Sequence, residues 1–258
     1  MSFAEVADLK THYALTGDKG PVVMFSNSLG TEFSMWDAQM PDLQRRFQVL
    51  RYDTRGHGKS SVTAGDYTIE LLGHDVLGLL DSLRLDRVHF CGLSMGGSIG
   101  MWLGIHAPHR LQRLILCNTA ARIGTQEVWN ARIATVRKEG MKSVAAAVVE
   151  RWFTPEFRAS SPEEVARTKK MLENSPPLGY AACCAAVRDM DEREGVARIK
   201  VPTLVIYGKR DPVIPIADAQ FLADRIPGAE KVELDAAHLS NVERAREFTE
   251  AVNNFLSS

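Results

Sequence analysis

A chain of 258 residues, 45% of them hydrophobic and with a formal net charge of −1, can bury one substantial core. Its even charge argues against nucleic acid as a partner, and the longest basic cluster, Arg167-Thr168-Lys169-Lys170, reads as a solvated helix face. No apolar run approaches the ~20 residues of a membrane span, and residues 1–10 lack the charged and apolar regions of an export signal, so a cytoplasmic protein is expected.

Residues 3–8 and 11–15 alternate enough for an antiparallel hairpin, punctuated by Gly17, Gly20 and Pro21. A strand at 22–26, a helix over about 36–45 and a strand at 48–52 follow. Ile69, Leu72, Val76, Leu79, Leu80 and Leu83 recur at helical spacing behind Thr68, a natural N-cap. Strand formers at 88–93 lead into Gly92-Leu93-Ser94-Met95-Gly96-Gly97, after which residues 98–107 read as a helix stopped by Pro108. Further strands are expected at 111–117, 201–208 and 230–234, with an amphipathic helix over about 241–255 at the end. Strands alternating with helices imply a parallel sheet with right-handed crossovers.

From about 122 to 198 the strand-like runs stop. Helical stretches take over, broken at Gly140, Pro155, Pro162 and Pro176-Pro177. This predicts an α/β core built from 1–121 and 199–258 with a helical lid, 122–198, inserted over the site.

The chemistry centres on Ser94. Strand before and helix after make Gly-x-Ser-x-Gly a sharp elbow, in which Gly92 and Gly96 remove the Cβ atoms that would obstruct a raised serine. Serine is a weak nucleophile unless a histidine takes its proton and an acid holds that histidine in the right tautomer. Asp211 follows the strand at 201–208 and His238 follows the one at 230–234, giving the order Ser94, Asp211, His238. Asp235 lies nearer His238 and is a rival for the acid. Backbone N–H groups of Met95 and of Leu29, in the loop after the strand at 22–26, are the expected oxyanion donors.

Other chemistries fail on spacing. A phosphate-binding loop at Gly56-His57-Gly58-Lys59-Ser60 needs a glycine where Asp53 stands. Cys91, Cys117, Cys183 and Cys184 lack metal-ligand spacing and read as reduced, packed thiols. No metal and no cofactor are expected, and nothing fixes the oligomeric state.

The chain resembles the α/β-hydrolase superfamily throughout, and more closely the 3-oxoadipate enol-lactonases. The resemblance rests on Asn27-Ser28-Leu29-Gly30-Thr31, Met35-Trp36-Asp37, Arg51-Tyr52-Asp53-Thr54-Arg55-Gly56-His57-Gly58, the Ser94 elbow and Asn118-Thr119-Ala120-Ala121-Arg122-Ile123-Gly124-Thr125. Many superfamily members carry His-Gly where this chain has Asn27-Ser28. The resemblance implies hydrolysis of 3-oxoadipate enol-lactone to 3-oxoadipate in aromatic-compound breakdown. Its small substrate bears a carboxylate, for which Arg122 is the expected partner with Arg132 and Arg188 as rivals, and Trp129 is an expected wall of the pocket. A general carboxylesterase, a perhydrolase or a lactone receptor keeping the same triad are the alternatives. Haloalkane dehalogenase and epoxide hydrolase chemistry would need Asp in place of Ser94.

Overall fold

Eight strands form one sheet in the order β1-β2-β4-β3-β5-β6-β7-β8, in a computed structural model that describes residues 2–257. The ends of the expected core spans, Met1 and Ser258, lie outside the described residues. The strands are β1 (Ser2–Val6), β2 (Leu9–Thr16), β3 (Val22–Ser26), β4 (Gln48–Tyr52), β5 (Val88–Leu93), β6 (Leu111–Cys117), β7 (Thr203–Gly208) and β8 (Glu230–Leu234). β1, β2 and β4 pair antiparallel; every later pairing is parallel. Each residue of β3, β5 and β7 is buried, as strands covered by helices on both faces must be.

From β3 the chain steps to β4 on one side and then crosses to β5 on the other. This reversal opens a crevice at the carboxyl ends of β3 and β5, where ligands bind in open α/β sheets. The loops holding Leu29 and Ser94 both start there.

The helices are α1 (Met40–Leu43), α2 (Ile69–Ser82), α3 (Met95–His106), α4 (Gln126–Glu139), α5 (Lys142–Trp152), α6 (Pro155–Ser160), α7 (Pro162–Glu173), α8 (Pro177–Asp189), α9 (Ile216–Arg225), α10 (Ser240–Glu243) and α11 (Ala245–Ser257). Thr68 caps α2 by accepting from Leu71 N–H at 3.0 Å. Between β6 and β7 lie α4 to α8, with no strand among the described residues. Gly140, at φ 77°, ends α4, and Pro155, Pro162 and Pro177 open α6, α7 and α8, where a missing N–H costs nothing.

Three expectations differ from the structure. The helix expected over 36–45 is a 3₁₀ segment, Phe33–Gln39, followed by the short α1, because Pro41 cannot donate to the carbonyl one turn earlier. α3 starts at Met95 rather than 98, since the elbow turns straight into the helix. The final helix is divided at Arg244, whose φ of −124° and ψ of 52° leave the helical region. α9, after Pro215, had no counterpart in the sequence reading.

Candidate active site

Ser94 sits at φ 57° and ψ −113°, a conformation that costs a non-glycine residue energy and persists only where its surroundings impose it. Here they do: Ser94 N–H donates to the Cys117 carbonyl at 2.9 Å, and the Ser94 carbonyl accepts from Thr119 Oγ1 at 2.9 Å and from Ser98 N–H at 3.0 Å. Gly96 N–H reaches the Asn27 carbonyl at 3.0 Å and ties the elbow to the loop after β3. A Cβ on Gly92 would strike the Gly96 carbonyl, and one on Gly96 the Ser26 carbonyl. Only glycine fits at either position.

Asp211 and His238 come together from the ends of β7 and β8. His238 Nδ1 lies 2.8 Å from Asp211 Oδ2, with both side chains almost wholly buried. Asp211 Oδ1 accepts from Val213 N–H at 2.8 Å and Ile214 N–H at 3.1 Å, and Oδ2 also accepts from Asn118 Nδ2 at 3.0 Å. Burial pushes the Asp211 carboxyl upward, but the adjacent His238 charge and the bonds from His238, Asn118 and Ile214 hold it below the usual carboxylate range. An ionised Asp211 favours the proton on Nδ1 and leaves Nε2 free to accept one. The rival Asp235 faces outward, 3.4 Å from Lys209 and 3.6 Å from Arg244.

Two further residues, Asn118 and Glu243, support this pair. Asn118, at φ 44°, also donates to the Ala237 carbonyl at 3.2 Å and accepts from Ser240 Oγ at 2.6 Å, so it fixes the acid and the histidine loop together. The buried Glu243 accepts from Ala237 N–H at 2.9 Å and from the Thr154 hydroxyl, and Leu239 N–H donates to the Trp152 carbonyl at 3.0 Å. The His238 loop is thereby stitched to the α5–α6 corner of the helical insertion.

The Leu29 and Met95 N–H groups, one after β3 and one after β5, have no hydrogen-bond partner among the described residues. The Leu29 loop is held from below by His57, whose Nε2 accepts from Gly30 N–H at 2.9 Å. Arg55, bonded to the buried Asp75 at 2.7 and 2.6 Å, anchors the turn that carries His57. Complete burial holds the His57 imidazole down to about 4. The unfolded chain protonates this histidine near 6.5 and the folded protein only near 4, so stability is present at neutral pH and is lost as pH falls through that window. About 3 kcal/mol is lost by the lower end. His57→Gln, which keeps an acceptor for Gly30 N–H, should show a smaller drop in melting temperature between pH 7 and 4.5 than the parent. An unchanged drop would remove His57 as a source of acid sensitivity.

Ser94, His238, Leu29 and Trp129 line one cavity of about 110 Å³ beneath α4, α5 and α8, well under the roughly 300–1,000 Å³ of drug-sized sites. Arg132 and Arg151 line it too, and neither has a carboxylate within 4.0 Å among the described residues. Burial and the Arg132 charge both lower the Arg151 pKa. The Trp129 ring lies 5.0 Å from the Arg132 guanidinium, and its Nε1 donates to the Ile123 carbonyl at 2.6 Å. Arg122 is not brought to this cavity. It lines a neighbouring depression, 3.9 Å from Asp191. Arg188 is engaged by Asp189 at 2.6 Å and Asn130 at 2.9 Å. Of the three arginines weighed from sequence only Arg132 faces Ser94, and Arg151 was missed.

Residues 21–245 match the alpha/beta hydrolase fold family. Over 95% of its length and 92% of the relative's, the chain is 45% identical to 3-oxoadipate enol-lactonase 2 of Acinetobacter baylyi. It is 39% identical to 3-oxoadipate enol-lactonase 1 of the same organism, over 93% and 90% of the two chains. The crystal structure of the enol-lactonase from Burkholderia xenovorans LB400 superposes with a TM-score of 0.98, at 46% identity and with all of both chains covered.

Proposed function

The chain belongs to the alpha/beta-hydrolase family, alongside the 3-oxoadipate enol-lactonases, and on that premise we propose that Ser94, His238 and Asp211 open the lactone through an acyl-enzyme. It is a carboxylic-ester hydrolase that converts 3-oxoadipate enol-lactone to 3-oxoadipate in aromatic-compound degradation. His238 Nε2 takes the Ser94 proton as Oγ attacks the lactone carbonyl, and the charge that forms on the carbonyl oxygen is received by the Leu29 and Met95 N–H groups. The ring C–O bond then breaks and His238 returns the proton to the enol oxygen. Water, deprotonated by the same nitrogen, releases the acid and restores Ser94; the enol tautomerises to the ketone. An enol leaves without the acid help an amine needs, so esters rather than amides are the substrates.

The observation that supports this substrate is that Arg132 and Arg151, neither with a carboxylate partner among the described residues, line a small cavity with the nucleophile. Two guanidiniums without a carboxylate partner in a small site favour a carboxylate, and Trp129 offers a flat wall to the ring. Helices α4 to α8 act as a lid that excludes water and brings both arginines over Ser94. The partner is thus a small anionic lactone. Among the described residues no helix is long and apolar enough to cross a membrane. All four cysteines are free, Cys91 and Cys117 with sulfurs only 3.8 Å apart, which supports a reducing cytoplasm.

Steady-state rates on freshly generated enol-lactone should exceed those on neutral aryl esters in kcat/KM by at least about 10²-fold. Arg132→Met should remove about 2 kcal/mol of that preference, mostly as a raised KM for the lactone, because a lost charged bond typically costs ~1.5–3 kcal/mol. Faster turnover of the aryl esters would overturn the substrate assignment.

A further inference from the structure

The loop after β3 holds a polar group that the reaction above leaves unused. Ser28 precedes Leu29, is 1% exposed, and lines the cavity beside Ser94 and His238. Its main chain is committed on both sides: the N–H lies 3.4 Å from Met35 Sδ, and the carbonyl accepts from Thr31 N–H at 3.1 Å and Thr31 Oγ1 at 2.7 Å. Its hydroxyl has no hydrogen-bond partner among the described residues. It is not among the enclosed side-chain atoms that lack a partner, so it meets the cavity itself, where an oxygen of a bound ligand can reach it.

The neighbouring Asn27 is fully explained by structure, since Nδ2 donates to the Tyr52 carbonyl at 2.8 Å and Oδ1 accepts from Trp36 Nε1 at 2.9 Å. Nothing comparable accounts for Ser28, at a position where the common His-Gly pattern supplies no side chain. Its hydroxyl stands one peptide from the free Leu29 N–H and shares a cavity with the nucleophile. A hydroxyl rotates freely and can turn its hydrogen to a charge that appears only during reaction.

We propose that the Ser28 hydroxyl is a catalytic third donor to the oxyanion formed when Ser94 attacks, beside the Leu29 and Met95 N–H groups, and keeps its own proton throughout. The inference rests on the acyl-transfer reading of the site but not on which ester is the substrate. A donor aimed at the oxyanion acts in the transition state, so its removal lowers kcat and spares KM.

The test compares Ser28→Ala and Ser28→Gly with the parent on the enol-lactone and on a neutral aryl ester, together with the affinity of phenylboronic acid, whose Ser94 adduct carries a tetrahedral anion. Both variants should lose roughly 10²-fold in kcat on each substrate that the parent turns over, with KM within about threefold. Boronate affinity should fall at least about tenfold, and the melting temperature should hold. Ser28→Gly keeps the test open if alanine disturbs the loop. A kcat within about threefold of the parent in both variants, or a loss confined to KM, would overturn the assignment. If the parent ignores the lactone but the variants still lose kcat on the aryl ester, the donor stands and the substrate assignment falls.

Discussion

Ser94→Ala should lower turnover by about 10⁵- to 10⁶-fold and leave the fold intact. In the proposed mechanism His238 and the oxyanion donors act through the oxygen that Ser94 supplies, so a site without it would retain only binding and charge stabilisation. The Ser94 side chain makes no hydrogen bond to another described residue; the bonds that hold position 94 run through its N–H and carbonyl. Alanine keeps those bonds and the Cβ, so thermal unfolding should coincide with the parent's. Ser94→Gly should melt higher, because glycine adopts φ 57° freely and relieves strain worth about 1 kcal/mol. Turnover of either variant within about 10²-fold of the parent, by single-turnover kinetics on purified protein, would refute Ser94 as the nucleophile.

What the sequence made legible depended on how locally each feature is encoded. The elbow is written in consecutive residues, and Asp211 and His238 announce themselves as polar residues just past apolar runs. Asn118, by contrast, meets Asp211 across 93 residues of chain, and Thr154 meets Glu243 across 89, so neither pairing leaves a local trace. The arginine assignment shows the limit of placing residues by strand end. Arg122 does follow β6, yet that rule fixes the backbone and not the direction of the side chain, which turns toward Asp191. Arg132 and Arg151 reach the cavity only because α4 and α5 fold back over the sheet, a matter of packing between helices that periodicity does not reveal. The helix expected over 36–45 is interrupted for a local reason, Pro41, which opens the short α1 and cannot donate to the turn before it.

Asp211→Asn should lower kcat about 10⁴-fold without unfolding the protein, and the cause is one proton in the wrong place. Val213 and Ile214 N–H groups both donate to Oδ1, so the carbonyl oxygen of an asparagine must take that position. Its NH₂ then replaces Oδ2, facing His238 Nδ1 at 2.8 Å and the Asn118 Nδ2 donor at 3.0 Å. A donor there makes Nδ1 the acceptor and moves the imidazole proton to Nε2, the nitrogen that receives the Ser94 proton in the proposed mechanism. The opposed amide of Asn118 has no acceptor left on residue 211 and turns fully to the Ala237 carbonyl, 3.2 Å away. Histidine ¹⁵N chemical shifts should report the tautomer change at His238 directly, alongside the kinetic loss. Asp235→Asn serves as the control and should stay within a few fold of the parent, since its ion pairs with Lys209 and Arg244 are exposed and weak. The reverse pattern, with Asp235→Asn inactive and Asp211→Asn near normal, would transfer the acid role to Asp235.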